Sequence, residues 1–387
     1  MPLDLQRMLD MCRRQQWRVD DLDWSRPPRR FDPQTEQAVV QYFTDMAGIE
    51  RMAGELFRVQ RDTTDDPILR EIFDTFVEDE RRHAEVARRL AAHYDVRGLR
   101  RYALNPHLRT FHPRFVEVLR HVSPDIANVY ITCGELLLDV ALLRSLDDFV
   151  ADPTCADAME RINRDESRHI AVDYHMMEYY GSPAYAAIER ARPPRDLATS
   201  LHAARATARL LWAAGPFFRD VFFRPMDMVD PSGRRLLEAF KRMQLLGRRE
   251  GIEDRPFTRF LATMQALYER PVVGEVLGPV IARAMGLDPR VIRRLYTEAE
   301  AARVRRADMA ALAEEALAVK RGIAGDFDVD AELAARRVGT RLWTDRLGQP
   351  LARLHGWARR RASRLAQGMK LAQPVATRSS ASWKNPP

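Results

Sequence analysis

Two stretches of this chain repeat one polar pattern at nearly one distance. Glu50 is followed 30 positions later by Glu80, in the run Asp79-Glu80-Arg81-Arg82-His83. Glu135 is followed 31 positions later by Glu166, in the run Asp165-Glu166-Ser167-Arg168-His169. Residues three apart on an α-helix share a face at neighbouring heights, so Glu80 points with His83 and Glu166 with His169. Apolar residues surround the two lone glutamates at helical spacing: Met46, Ala47, Ala53 and Phe57 beside Glu50, and Ile131, Leu138 and Leu142 beside Glu135. A carboxylate on an apolar stripe is costly unless it is paired or bound to metal. The pattern thus asks for helices that converge on six buried polar side chains.

Caps and breakers divide the first half into such helices. An apolar-periodic stretch from about Pro33 to Gln60 predicts a first long helix, stopped by Asp62-Thr63-Thr64-Asp65-Asp66-Pro67. An acidic cap before proline starts a second, running to about Tyr94. Residues 95–122 form a crossover, with a short helix expected near Pro113–His121. Ser123-Pro124 caps a third helix through about Val150, and Asp152-Pro153 a fourth that stops before Gly181-Ser182-Pro183. Two helix pairs joined by one longer link make an all-α chain wired like a ferritin-like four-helix bundle with one long crossover. Residues 1–32 read as an N-terminal extension, 33–182 as the bundle, and 195–330 as additional C-terminal helices. Those are expected at about Asp196–Ala214, Pro231–Gly247, Arg255–Arg270, Val272–Met285 and Pro289–Lys320.

A Glu from each of two helices plus a Glu-x-x-His from each of two others is the ligand set of dinuclear carboxylate centres. Glu50, Glu80, His83, Glu135, Glu166 and His169 supply it. Carboxylate oxygen and imidazole nitrogen suit iron or manganese, whereas structural zinc favours cysteine. Four carboxylates balance two divalent ions. Because a ligating imidazole normally donates its other N–H to a carboxylate, Asp79 and Asp165 are expected to pair with the His of the opposite motif. Arg82 and Arg168 either clamp the carboxylates from outside or face solvent. Asp139, one turn after Glu135, and Asp173, one turn after His169, are candidates for hydrogen-bond acceptors or proton relays. Thr132, Cys133 and Gly134 are small enough to leave room for oxygen or substrate, though close helix packing would explain them equally. His93, His107, His112, His121 and His175 lack ligand spacing.

Bulk properties set limits. The chain has 387 residues, 46% hydrophobic and 30% charged, which suits an ordinary globular protein. Three cysteines without metal-type spacing argue for reduced thiols and a cytoplasmic setting. No signal-type segment follows Met1, and no membrane span is expected; the most apolar stretches are taken to be Leu201–Phe218 and Val272–Leu287. Ala331–Pro387 carries twelve Lys and Arg against Glu332 and Asp345, so this tail alone exceeds the chain's net charge of +7. With Trp343 and Trp357 among its arginines, the tail is a candidate for meeting an acidic protein, lipid headgroups or nucleic acid. Its last part, Pro374–Pro387, has a disordered composition.

The doubled Glu…Asp-Glu-x-Arg-His pattern resembles the ferritin-like di-iron carboxylate superfamily, and within it the oxygen-activating branch of p-aminobenzoate N-oxygenase-type and related di-iron hydroxylases. The resemblance implies that the six residues hold two Fe ions (Mn or mixed Fe/Mn also fit) and use O2 to oxidise a small organic substrate, with electrons from an external donor. The chain departs from the arylamine N-oxygenases at Ile162, where those enzymes carry a further histidine one turn before the last Glu. The alternative is a ferroxidase, iron-handling or peroxide-scavenging protein. A homodimer is compatible with either.

Overall fold

The structure is a computed structural model that describes residues 3–98, 102–270, 273–285, 290–291 and 293–320. All regular secondary structure among these residues is helical. The basic tail at 331–387, and residues 321–330 before it, lie outside the described residues.

Helix α1 (Leu5–Arg14) belongs to the N-terminal extension. Three of the long helices open on an acidic cap followed by proline. Asp32 accepts from the Gln34 and Thr35 amides at the start of α2 (Pro33–Thr63), and Asp66 from Ile68 and Leu69 at the start of α3 (Pro67–Tyr94). The oxygens satisfy amides that have no partner within the helix, and proline loses nothing by lacking an N–H there. The crossover helix α4 spans Pro106–Leu119. It begins earlier than expected because Asn105 caps it, accepting from the His107 amide; Pro113 lies inside it.

The third long helix is continuous from Pro124 to Val150 but not uniform. An α-helical α5 (Pro124–Glu135) passes into a π-helical segment, Leu136–Leu143, and then into α6 (Arg144–Val150). No membrane span was expected, yet among the described residues this helix is long and apolar enough to cross a membrane by length and composition; 72% of its most apolar window is buried within the protein, as in the core helix of a bundle. Asp152 caps α7 (Pro153–Gly181). Helix α2 packs on α3 and α5, and α7 packs on α3 and α5. These four enclose a shared interior.

Beyond α8 (Pro183–Ala191) come α9 (Leu197–Phe217), a π-helical stretch Phe218–Phe223, α10 (Arg224–Val229) and α11 (Arg234–Leu246). Then follow α12 (Pro256–Tyr268), a π-helical Val273–Leu277 that leads into α13 (Gly278–Met285), α14 (Glu298–Arg305) and α15 (Met309–Lys320). The single helix expected over Pro289–Lys320 is instead two. A Thr297–Glu300 capping box starts α14 only at Glu298, and Arg306 ends it before Asp308 starts the next. Helix α9 lies on α4, α11 on the Leu136–Leu143 segment, and α15 on α7 and that same segment. The described C-terminal helices therefore belong to the same compact unit as the first four long ones.

Candidate metal centre

The six residues picked from the sequence meet inside the first four long helices. Glu50 projects from α2, Glu80 and His83 from α3, Glu135 from the end of α5, and Glu166 and His169 from α7. All six are at most 2% exposed. Their ligand-type atoms form two groups, each within 4.8 Å: Glu50, Glu80, His83 and Glu166, and then Glu80, Glu135, Glu166 and His169. Glu80 and Glu166 belong to both groups. Each group also has one private glutamate and one histidine.

Five ligand-type atoms inside this cluster have no hydrogen-bond partner. Both imidazole Nδ1 atoms turn inward; that of His83 lies 3.0 Å from Glu166, and that of His169 lies 2.7 Å from Glu166 and 3.3 Å from Glu80. These are close approaches without hydrogen-bond geometry. Both Glu80 oxygens, Glu166 Oε2 and both Nδ1 atoms are buried with no hydrogen-bond partner. Buried polar atoms are almost always partnered, and leaving one bare costs about 1–3 kcal/mol. Five orphans aimed at one volume are what a pair of cations would satisfy. An all-O/N donor set suits iron or manganese and gives no preference between them.

The outer nitrogens are fixed crosswise. His83 Nε2 lies 3.1 Å from Asp165, and His169 Nε2 lies 3.4 Å from Asp79. Each aspartate so meets the histidine of the other motif and, by accepting from its Nε2–H, leaves Nδ1 free to serve as a ligand. Arg82 and Arg168 are buried and bind these aspartates rather than the glutamates. Arg168 reaches Asp165 at 2.6 Å and Asp79 at 3.3 Å, while Arg82 reaches Asp79 at 3.0 Å and Asp165 at 3.5 Å.

Three partners in this layer come from the N-terminal extension, where the sequence offered no motif. Trp17 Nε1 donates to Asp165 at 2.7 Å, Gln16 Nε2 to Asp79 at 3.2 Å, and Gln15 accepts from Arg168 at 2.7 Å. The Arg82 guanidinium also lies over the Trp17 ring, 5.3 Å from its centroid.

Electrostatics follow from burial and crowding. Burial, then Glu80 and Glu166, raises Glu50 well above the usual carboxylate range; burial and Glu166 do the same to Glu135 and raise Glu80. Burial works to raise Glu166 too, but the two imidazoles outweigh it and hold that carboxyl well below its ordinary value. Burial would lower both histidines, yet Glu166 and the flanking carboxylates hold them well above theirs. For Asp165, the His83, Arg168 and Trp17 contacts outweigh burial, and its carboxyl is depressed.

Asp139 and Asp173 are both fully buried. Asp139 faces Lys320, the last residue of α15, whose Nζ lies 3.4 Å away and donates to the Asn163 carbonyl at 2.7 Å. Burial pushes Asp139 up to about 8 against the pull of Lys320. Burial also raises Asp173, whose Oδ1 meets Asn128 at 3.5 Å while Oδ2 has no hydrogen-bond partner. Of the small residues before Glu135, Thr132 donates to the Asn128 carbonyl and is fully buried. A Cβ on Gly134 would meet open space, so close helix packing does not account for that glycine. Among the set-aside histidines, His107 joins Asp220 at 3.0 Å. Cys12, Cys133 and Cys155 are free thiols. Compared with known proteins, the chain matches no family model, no curated protein and no solved structure.

Proposed function

We propose that this chain is a ferritin-like di-metal carboxylate oxidase or oxygenase, with two Fe ions (or Mn, or one of each) held by Glu50, Glu80, His83, Glu135, Glu166 and His169. The observation that carries the proposal is the pair of four-residue groups sharing Glu80 and Glu166, with unpartnered ligand atoms turned into one buried volume. Redox-active ions bound there supply two-electron chemistry on dioxygen, applied to a small organic substrate with electrons from an external donor. The protein's own groups do the rest. Glu80 and Glu166, common to both groups, would serve both ions, Glu50 with His83 and Glu135 with His169 would complete one each, and Asp165 and Asp79 would hold the imidazole tautomers. The apolar helix faces exclude water, which strengthens each of these interactions.

The test is anaerobic loading with Fe(II), a count of iron per chain, and admission of O2. Two ions per chain and consumption of O2 are expected, with consumption accelerated by a turned-over substrate. Binding of fewer than two ions, or no O2 consumption by the loaded chain, would sink the reading. Rapid O2 consumption that only mineralises iron, in a cage-sized assembly on size-exclusion chromatography, would favour the ferroxidase alternative.

A further inference from the structure

Helix α9 is apolar on two opposite faces. Ala206, Leu210, Ala213 and Phe217 form its buried face, and Phe217 stacks on Phe111 of α4 with ring centroids 4.0 Å apart. Half a turn around the helix, Leu197, Leu201, Ala204, Ala208 and Leu211 follow the same spacing of three and four residues. All five are exposed, and so is Trp212 beside them. Leu197 is 76% exposed, Leu201 and Leu211 are 63% exposed, and Trp212 is 85% exposed. A helix on the surface of a globular protein needs one apolar face, set against a polar one. The second apolar face of α9 calls for a second packing partner.

Size and charge narrow the choice of partner. Taking about 150–250 Å² for a large side chain in full, the three leucines and Trp212 present on the order of 500 Å². A patch of that size on a single chain marks an interaction surface. Two such patches placed face to face bury about 1,000 Å², the size at which a specific interface begins. No position of the stripe is charged, and the cations of α9 (His202, Arg205 and Arg209) lie along one flank only. His202 and Arg209 turn back toward Glu117 of α4, at 3.6 Å and 4.0 Å. The other flank holds Ser200 and Thr207. A membrane-surface helix instead sets a face rich in Lys and Arg against its apolar one, whereas here the opposite face is the apolar one on α4.

The order of residues favours a copy of the same helix. Leu201, Ala204, Ala208 and Leu211 read alike in both directions about position 206. A twofold axis beside that position sets Leu201 against Leu211 and Ala204 against Ala208 between antiparallel copies, so the stripe complements itself. The leucine at each end then meets a leucine. The paired alanines at the centre let the helix axes approach to the near end of the usual range of about 8–10 Å. We infer that the outer face of α9 is the interface of a homodimer, in which two copies pack this helix antiparallel about a twofold axis beside residue 206.

Sedimentation velocity on the full chain across a dilution series tests the inference. The unaltered chain should show a species of twice the chain mass that dissociates on dilution. Ala204→Glu and Ala208→Arg, each made alone, place an unpaired charge in the apolar centre and should weaken association by roughly a hundredfold. Both positions are exposed, so circular dichroism should not change. Ala204→Glu and Ala208→Arg combined in one chain should restore the dimer, because the twofold axis sets the two opposite charges against each other across the interface. A chain monomeric at every dilution, a dimer indifferent to either single change, or a double variant no tighter than the singles would overturn the assignment. Sedimentation of a monomeric chain with phosphatidylglycerol vesicles, lost in Trp212→Ser, would overturn it in favour of a lipid surface.

Discussion

The two Glu…Asp-Glu-x-Arg-His halves are alike in their ligands and unlike one turn away. In the first half, the positions four residues after Glu50 and His83 are Gly54 and Ala87; in the second, the positions after Glu135 and His169 are Asp139 and Asp173. A Cβ on Gly54 would stand 3.4 Å from the Glu80 side chain, an ordinary van der Waals contact between α2 and α3. Its counterpart Asp139 lies in the π-helical segment and meets a lysine from a helix 181 residues further on. The first half is thus apolar one turn beyond its candidate ligands, whereas the second carries two extra buried carboxylates. The candidate ligands repeat between the halves while their surroundings do not, and π-helical turns often mark the functional side of a helix.

Metal stoichiometry gives the largest effects. Glu166→Ala or Glu80→Ala removes a residue shared by both groups and should reduce bound metal from two ions per chain to nearly none. Glu50→Ala or Glu135→Ala removes a private ligand and should leave about one ion. His83→Ala should likewise lose two-metal occupancy, with helicity largely intact. Elemental analysis beside circular dichroism decides it; two ions per chain in Glu166→Ala would break the assignment of that residue as shared.

Next is the lysine that only the second half possesses. Lys320→Met leaves Asp139 buried without its cation, and breaking a buried pair from one side costs about 3–5 kcal/mol. Burial already holds Asp139 at about 8, so near neutral pH part of that cost is avoided by protonation, and the full loss should emerge only above it. Asp139→Asn in the same background should recover most of the stability in urea titrations. A double variant no more stable than Lys320→Met would mean that the lysine acts through the Asn163 carbonyl and not through the acid.

The metal-free chain should show an unusual pH profile. Glu50, Glu80, Glu135, His83 and His169 all bind protons more tightly folded than unfolded. Their contribution to stability is therefore greatest at low pH and is lost as pH rises through the raised values. Glu166 and Asp165 run the opposite way, but their window lies below about pH 4, where unfolded carboxylates titrate. The Tm of the metal-free protein should fall between about pH 6 and pH 8, and metal should reverse the trend because binding expels those protons. Asp173→Asn should flatten the slope, an effect the first half cannot reproduce at Ala87. A metal-free Tm that rises over this interval would contradict the charge assignment.

How much of this could be read beforehand follows from the range of each interaction. The candidate ligands were legible because helix geometry ties Glu80 to His83 and Glu166 to His169 over three residues, and the caps at Asp66 and Asp152 are equally local. Helix α4 starts earlier than the expected Pro113 because Asn105-Pro106 is itself a cap followed by a proline, and Pro113 is accommodated inside the helix. The π-helical segment was hidden by its composition: Leu136–Leu143 is apolar all round except for Asp139, so a shift in helical period leaves no trace. Lys320 and Trp17 were invisible for another reason. Each reaches the centre from far along the chain, and an isolated lysine or tryptophan carries no spacing to betray its partner.

The smallest predicted effect tests whether the two halves are insulated from each other. Trp17 donates to Asp165, which orients His83, while Gln16 donates to Asp79, which orients His169. Trp17→Phe keeps an aromatic ring beneath Arg82 and removes the indole N–H together with part of the ring's volume. Loss of a group that directly orients a metal ligand costs about 10–100-fold in metal affinity, so a partner one step further out should cost less than roughly tenfold. The loss should fall on the ion held by Glu50 and His83, and Gln16→Ala should weaken the other. Arg82 and Arg168 each touch both aspartates, however, and offer the most direct side-chain route from the Trp17–Asp165 contact to Asp79. Equal weakening of both ions in Trp17→Phe would show that the arginines couple the halves, and the crosswise pairs would then act as one four-residue unit.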